Sequence, residues 1–203
     1  MRVLIGCEFS GVVRDAFTLR GHYAMSCDLL PTESKGPHYQ GSVLDVLDDG
    51  WDLMIGHPPC TYLSYAAIRV WNDEGRCQKR LEALEFFRLL WEAPIGKICL
   101  ENPKGCASPT IAKYSQAIQP YYFGDRQFKT TWLWLKNLPL LKHYESETLF
   151  NKQTHTKKPE PIYINKNGKS IHFCGAMGGG KDRAKNRAKF WLGIANAMAE
   201  QWG

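Results

Sequence analysis

Two consecutive prolines, Pro58 and Pro59, hold a cysteine, Cys60, in a defined place in the chain. Proline fixes the backbone φ angle and removes an amide donor, so the thiol that follows has little freedom to move. Such a thiol becomes a nucleophile when its pKa is lowered or when a nearby acid assists the acceptor. Alone, Cys60 could equally be a buried structural thiol, so the prediction of a nucleophile depends on other residues.

A carboxylic acid stands in a similar place later in the chain. Glu101, Asn102 and Pro103 directly follow the apolar run at residues 97–100. A carboxyl group at the end of a strand, inside a cleft, can act as a general acid. Asn102 precedes a proline and is therefore held in an extended conformation, which orients its neighbour. The alternative is a turn with an exposed glutamate.

A glycine-containing turn separates the first apolar run from a predicted helix. Phe9, Ser10 and Gly11 occupy this turn, where backbone amides at a helix N-terminus can approach a ligand. The order is not Gly-x-Gly-x-x-Gly, so the dinucleotide fingerprint is absent. Asp28 ends the second apolar run and could bind a pair of ribose hydroxyls. A turn or helix cap is the alternative role for Asp28.

Strand and helix patterns alternate through most of the chain. Apolar runs predict strands at residues 2–7, 23–29, 51–55, 97–100 and 131–135. Helical spacing predicts helices at residues 12–19, 79–92, 110–118 and 190–201, with a turn or short helix at 41–47. This alternation favours an α/β fold, with a mostly parallel sheet and helices on both faces. Right-handed crossovers bring the strand-to-helix turns to one edge of the sheet, where ligands bind in such folds.

Taken in chain order, these segments resemble motifs of the cytosine-C5 DNA methyltransferase family. Residues 9–11 resemble its first cofactor motif, Phe-x-Gly, and residues 58–60 with the following Ser64 resemble its Pro-Cys motif. Residues 101–103 resemble its Glu-Asn-Val motif, and residues 193–197 more loosely resemble the last motif. The resemblance covers about residues 1–140 and the last fifteen. It implies a small, phage-like member with a Rossmann-like S-adenosylmethionine-dependent methyltransferase fold.

The resemblance implies a mechanism for the candidate residues. Cys60 would add to C6 of cytosine, and Glu101 would hydrogen-bond N3 and the exocyclic amine while C5 takes the methyl group. A further side chain must hold the cytosine O2. The family supplies a Gln-Arg-x-Arg segment here, which this sequence lacks, so Arg126 or Lys129 is expected to replace it, with Lys129 narrowly preferred.

S-adenosyl-L-methionine is the cofactor that the resemblance implies, and no metal is expected. The expected cofactor contacts are Phe9, Ser10, Gly11, Val12, Asp28, Leu29, Asp45 and Pro58. The expected substrate contacts are Pro59, Ser64 and Asn102.

The sequence departs from the family pattern at several cofactor positions. Val12 and Val13 stand where the family often has two glycines. Ser42 stands where an aspartate commonly contacts the adenine amine, although Asp45 is nearby, and Ile194 replaces an asparagine. These changes leave the nucleophile and the acid in place and affect only individual cofactor contacts.

Residues 1–203 are predicted to form a single domain with a basic, mobile insertion at about 142–182. Family members carry a target recognition domain there, and this interval is too short for a separate core. Residues 151–189 hold ten lysines and arginines against two acidic residues. We therefore expect DNA, duplex or single-stranded, as the partner, with a homodimer or another protein supplying recognition. A free cytidine nucleotide or RNA is an alternative substrate, and a catalytically lapsed nucleic-acid-binding protein is an alternative function.

Bulk properties exclude several other classes of protein. The net charge is +6, which favours a polyanionic partner. No stretch of eighteen apolar residues occurs, and the first residues lack the layout of a signal peptide. The seven cysteines are scattered without the Cys-x-x-Cys spacing of a zinc site, which fits a reducing compartment. We expect a cytoplasmic protein of a bacterial or phage-infected cell.

Overall fold

The computed structural model describes residues 1–168, 170–172, 176 and 190–203. Within this part of the chain the main sheet contains β1 (Arg2–Gly6), β2 (Tyr23–Asp28), β3 (His38–Gln40), β4 (Leu53–Gly56), β5 (Lys97–Asn102), β6 (Gln116–Ile118) and β7 (Thr131–Lys136). A small antiparallel pair consists of β8 (Tyr163–Ile164) and β9 (Ser170–Ile171). The α-helices are α1 (Val12–Thr18), α2 (Arg76–Glu92), α3 (Ala107–Thr110) and α4 (Leu192–Trp202). Short 3-10 helices cover Val43–Val46, Tyr65–Val70 and Pro120–Phe123.

The main sheet has the strand order β3-β2-β1-β4-β5-β7-β6. Strands β1 to β5 pair in parallel, whereas β7 runs antiparallel to both β5 and β6. The strand order reverses between β1 and β4, which is where ligands bind in open α/β sheets. The predicted α/β fold class is confirmed: the sheet is mostly parallel and has a Rossmann-like strand order.

Helices cover both faces of the sheet because its strands are apolar on both sides. In β1, Val3 and Ile5 pack in the core beneath α1 and α4, whereas Leu4 points into a second core beneath α2. The alternation follows from the two-residue period of a strand. Trp202 of α4 and Phe87 of α2 close these two cores at opposite faces.

The prediction of a helix at residues 110–118 was wrong. Only Ala107–Thr110 is helical, and the chain then forms strand β6, which pairs with β7. The Gln116 side chain exchanges two hydrogen bonds of 2.8 Å with the backbone of Leu141, and Ile118 is fully buried. Pairing with a long central strand and burial of Ile118 therefore outweigh the local helical pattern. Strand β3 was also not predicted, because three residues carry too little pattern.

The segment after β7 returns to the body of the domain. The Thr154 hydroxyl donates to the backbone carbonyl of Tyr122 at 2.8 Å, and the Tyr122 ring stacks against His143 at 4.5 Å and His155 at 4.7 Å. Of the stretch at about 142–182 that was predicted to be a mobile insertion, residues 169, 173–175 and 177–182 lie outside the described residues. Among the described residues, no helix is both long and apolar enough to cross a bilayer.

Candidate active site

The carboxyl ends of the parallel strands meet at one edge of the sheet. Gly56 of β4 lies between Gly6 of β1 and Leu100 of β5 in register. The residues that follow each of these positions are therefore neighbours in space. Strand β7 is antiparallel, so its first residue, Thr131, lies at this same edge, close to Asn102 at the end of β5. The sheet thus gathers the candidate residues from β1, β4, β5 and β7.

Cys60 lies at the start of a tight turn after β4, and its side chain is exposed. The Cys60 carbonyl accepts hydrogen bonds from the amides of Leu63 at 3.1 Å and Ser64 at 2.9 Å. Ser64 then caps the following 3-10 helix by accepting from the amide of Ala66 at 3.2 Å. The turn therefore fixes the backbone on the C-terminal side of the thiol, as the two prolines do on its N-terminal side.

A buried hydrogen bond joins the loop that carries Cys60 to the end of β5, which carries Glu101. The Asn102 side-chain amide, 2% exposed as a residue, donates to the Pro58 carbonyl at 2.6 Å. Proline has no amide to offer in return, so its carbonyl is the group available for this contact. Asn102 thus joins the segment that carries Cys60 to the end of β5, a role that local sequence alone does not indicate.

Glu101 is 9% exposed and has partners from two other elements. His57 Nδ1 lies 3.3 Å from Oε2, and the Thr131 hydroxyl donates to Oε1. Burial acts to raise the pKa of Glu101, but the His57 hydrogen bond, the Lys129 charge and the Thr131 hydrogen bond outweigh it and lower the pKa overall. The site therefore favours the carboxylate form of Glu101.

The two residues expected at the cytosine O2 differ in their surroundings. Lys129 is half-buried, its charge acts on Glu101, and its Nζ lies 4.6 Å from the ring centre of Trp191. Arg126 is exposed in the loop before β7. The structure thus brings Lys129, the preferred residue, to Glu101, and leaves Arg126 at the surface.

His57 and Thr131 contact Glu101 and were not assigned a role from the sequence. His57 lies between Glu101 and Phe190, whose ring is centred 4.5 Å away. Its Nε2 is buried without a hydrogen-bond partner among the described residues, as are Asn102 Oδ1 and Gln119 Oε1 at the same edge. The sequence signal that could have identified His57 is its position, as a titratable residue, immediately before the two prolines. Three such orphaned atoms at one edge indicate a place for a polar ligand.

A cavity of about 140 Å³ opens between the ends of β1, β2 and β4. It is lined by Cys7, Cys27, Asp28, Leu29, Gly41, Ser42, Val43, Pro59 and Phe86. Burial raises the pKa of both thiols to about 12, so they stay neutral. An aromatic ring and apolar walls suit adenine, and a carboxylate at the end of β2 suits ribose hydroxyls. These residues fit the adenosine part of S-adenosyl-L-methionine.

The expected cofactor contacts divide into two groups. Asp28 and Leu29 line the cavity, and so does Pro59, which was expected to contact substrate. Asp45 is exposed and accepts from the Tyr39 hydroxyl at 3.1 Å, while Ser42 reaches the cavity wall. Phe9, Ser10, Gly11, Val12 and Pro58 lie outside the lining of this cavity.

Glu8 changes the expected use of the glycine turn. Its buried carboxylate accepts from the amides of Val13 at 2.7 Å and Arg14 at 3.3 Å, and from the Ser10 hydroxyl at 3.2 Å. The N-terminal amides of α1 that were expected to face a ligand are therefore bound by the protein itself. Gly11 has a φ of 76°, which explains the glycine at this turn.

Comparison with known proteins gives distant structural likenesses. No protein-family model and no curated protein sequence matches the chain. The chain is similar to the structure of the Entamoeba histolytica methyltransferase EhMeth, with TM-score 0.49 and 12% identity over 82% of this chain and 62% of that one. It is also similar to a mutant of Spodoptera frugiperda DNMT2, with TM-score 0.40 and 12% identity over 79% of this chain and 57% of that one. The chain thus spans about three fifths of these proteins, and its fold assignment rests on strand order and direction.

Proposed function

We propose that this protein is an S-adenosyl-L-methionine-dependent methyltransferase that acts on C5 of cytosine in DNA. The observation that carries the proposal is that an exposed thiol and a buried acid lie on two segments that a hydrogen bond between Asn102 and Pro58 joins. Cys60 follows β4, and Glu101 lies near the end of β5, the parallel neighbour of β4; the hydrogen bond from Asn102 to Pro58 joins the Cys60 loop to that strand end. A nucleophile and an acid held at the ligand-binding edge of the sheet suit a covalent mechanism.

Cytosine C5 is a weak nucleophile until C6 is attacked. The Cys60 thiolate adds to C6 and makes C5 electron-rich, while Glu101 stabilises the charge that develops at N3 and the exocyclic amine. Bound S-adenosyl-L-methionine supplies an electrophilic methyl group for C5. Water then takes the C5 proton, the bond between Cys60 and C6 breaks with its electron pair returning to sulfur, and the Cys60 thiolate is restored. Lys129 is proposed to hold the cytosine O2.

A nucleic-acid substrate is supported by aromatic and basic side chains beside the edge. The rings of Phe128 and His172 stack at 4.3 Å, and Lys158 Nζ lies 5.0 Å from the centre of Phe128. Stacking surfaces combined with cations are typical of sites for unpaired bases. In duplex DNA the cytosine must first leave the helical stack, because C6 is inaccessible inside it.

Methyl transfer from tritiated S-adenosyl-L-methionine to DNA tests the proposal directly. Cys60→Ala and Cys60→Ser remove the thiolate and should abolish transfer, and Cys60→Ala should form no covalent adduct with DNA containing 5-fluorocytosine. Cys77→Ala is the matched control, because Cys77 is also exposed but lies on α2. Activity that persists in Cys60→Ala would refute the mechanism.

A free cytidine nucleotide or RNA is the second candidate substrate. The interval between β7 and α4 is too short for a separate recognition domain with its own core. Transfer to dCMP, single-stranded DNA, duplex DNA and RNA should be compared at equal cytosine concentration. Exclusive methylation of duplex DNA would eliminate this candidate, and exclusive methylation of dCMP or RNA would replace the DNA proposal.

A further inference from the structure

His57 is a titratable side chain inside the site that the mechanism above does not use. Its Nδ1 must donate to Oε2 of Glu101, because a carboxylate only accepts. Phe190 packs against the ring at 4.5 Å, and the side chain is only 10% exposed. The His57 ring is thus confined between a carboxylate and an aromatic ring, and Nδ1 is the nitrogen that can exchange a proton with Glu101.

Glu101 must carry a proton to stabilise N3 of cytosine. N3 of cytosine is a hydrogen-bond acceptor, so Glu101 can stabilise it only by donating. Burial acts to raise the pKa of Glu101, yet the contacts with His57, Lys129 and Thr131 lower it overall. The carboxyl group therefore lacks the required proton near neutral pH, and a neighbouring donor must supply it.

We propose that His57 and Glu101 form a proton-sharing pair, in which the His57 imidazolium supplies the proton that Glu101 donates to cytosine N3. The proposal rests on the proposed function. As the Cys60 thiolate bonds to C6, one proton leaves His57 Nδ1 for the Glu101 carboxylate, and Glu101 donates a proton to N3. When the bond to C6 breaks after loss of the C5 proton, N3 gives up its proton and the pair returns to its initial state. The pair consumes no net proton in a cycle.

The hydrogen-bond partner of His57 is Glu101, and the other charged groups on the surrounding elements have contacts elsewhere. Glu8, after β1, directs its carboxylate to the N-terminus of α1. Lys129, before β7, acts on Glu101 and lies over Trp191. Cys60 lies three residues beyond His57 on the same loop.

Two substitutions separate the hydrogen bond from the proton. His57→Asn places an amide donor near the position of Nδ1 but has no proton to deliver, whereas His57→Phe removes both. We expect kcat of His57→Asn to fall about 100-fold, with KM nearly unchanged. His57→Phe should lose activity further and also raise KM. His22→Asn, at the opposite edge of the sheet, is the control and should keep the wild-type rate.

Carbon-13 NMR of glutamate carboxyl groups tests the pair without reference to methyl transfer. The pKa of Glu101 should rise in His57→Phe and rise less in His57→Asn, because the asparagine retains a donor. Identical Glu101 titration in all three proteins, or a His57→Asn variant with wild-type kcat, would overturn the pair. A wild-type protein that transfers no methyl group, yet whose Glu101 pKa responds to the His57 variants as expected, would refute the proposed function and leave the pair standing.

Discussion

The chemistry of the site at the residue scale depends on the protonation state of Glu101. Its carboxyl group is buried, which by itself favours the protonated acid. Hydrogen bonds from His57 and Thr131 and the charge of Lys129 reverse that preference. Because the pKa is lowered in the folded protein, ionised Glu101 stabilises the fold above its ordinary pKa. This contribution is lost as the pH falls through the folded value.

Thr131→Val tests this balance with a change of similar volume. Removal of the hydroxyl that donates to Oε1 should raise the pKa of Glu101 and shift the acid loss of stability to higher pH. Carboxyl NMR titration and denaturation as a function of pH measure the two effects. Thr130→Val is the control, since the Thr130 hydroxyl accepts from Gln119 instead. Equal shifts in both variants would contradict the assigned role of Thr131.

At the scale of elements, a buried arginine holds the loop after β2 against α1. The Arg14 side chain is 0% exposed, and its guanidinium pairs with Asp15 at 2.8 Å and donates to Ser26 at 3.1 Å. It also donates to the carbonyls of Ser34 at 3.2 Å and Lys35 at 3.3 Å. The same loop begins with Leu29, which lines the candidate cofactor cavity. Arg14 thereby connects helix packing to the shape of that cavity.

Arg14→Met should lower the free energy of unfolding by about 3 kcal/mol, because it removes one partner of a buried charged network. The loop that carries Leu29 loses its anchor, so the affinity for S-adenosyl-L-methionine should fall as well. Chemical denaturation and calorimetry measure these two quantities. Arg20→Met, at an exposed pair with Glu200, should change the free energy of unfolding by less than about 0.5 kcal/mol. Equal stability of the two variants would show that the network carries no stabilisation.

At the scale of the whole molecule, the net charge of +6 favours a polyanionic partner, and a group of aromatic and basic side chains offers a surface for it. A stacked group forms between two segments of the chain. Phe128, in the loop before β7, contacts Lys158 and His172, which lie in the connection between β7 and α4. Lys129 joins this surface to the acid at the edge of the sheet. We propose that a nucleic-acid strand binds this surface, because Lys129 connects it to Glu101.

Lys158→Ala should weaken binding to single-stranded DNA and make the slope of log K against log salt concentration shallower by about 0.7. The reason is that the variant neutralises one phosphate fewer than the wild-type protein and so releases fewer counterions. Fluorescence titrations of a labelled oligonucleotide at several salt concentrations measure the slope. Lys97→Ala removes an exposed lysine at the opposite edge of the sheet and should leave the slope unchanged. Equal slopes for Lys158→Ala and the wild-type protein would exclude this surface.

The strands and helices of the domain were mostly predictable because the side chains that pack between the sheet and its helices form long apolar patterns in the sequence. The strands around β1, β4 and β5 and the helix around α2 were predicted to within a few residues. Residues 110–118 were not, because a short segment takes its conformation from its partner strand, here β7. The reversed direction of β7 likewise leaves no local signal, since an antiparallel and a parallel buried strand have similar composition.

The sequence by itself determined the alternation that produces this fold, and the order of a cysteine, an acid and a glycine turn at the ends of its strands. Cys60 stays the predicted nucleophile and Glu101 the predicted acid. Only the tertiary structure revealed that His57 and Thr131 bind Glu101, that Asn102 joins the two loops, and that Glu8 occupies the helix amides. These contacts join residues far apart in the chain, or depend on the direction of a side chain. Local pattern cannot encode either, because both follow from strand order and packing.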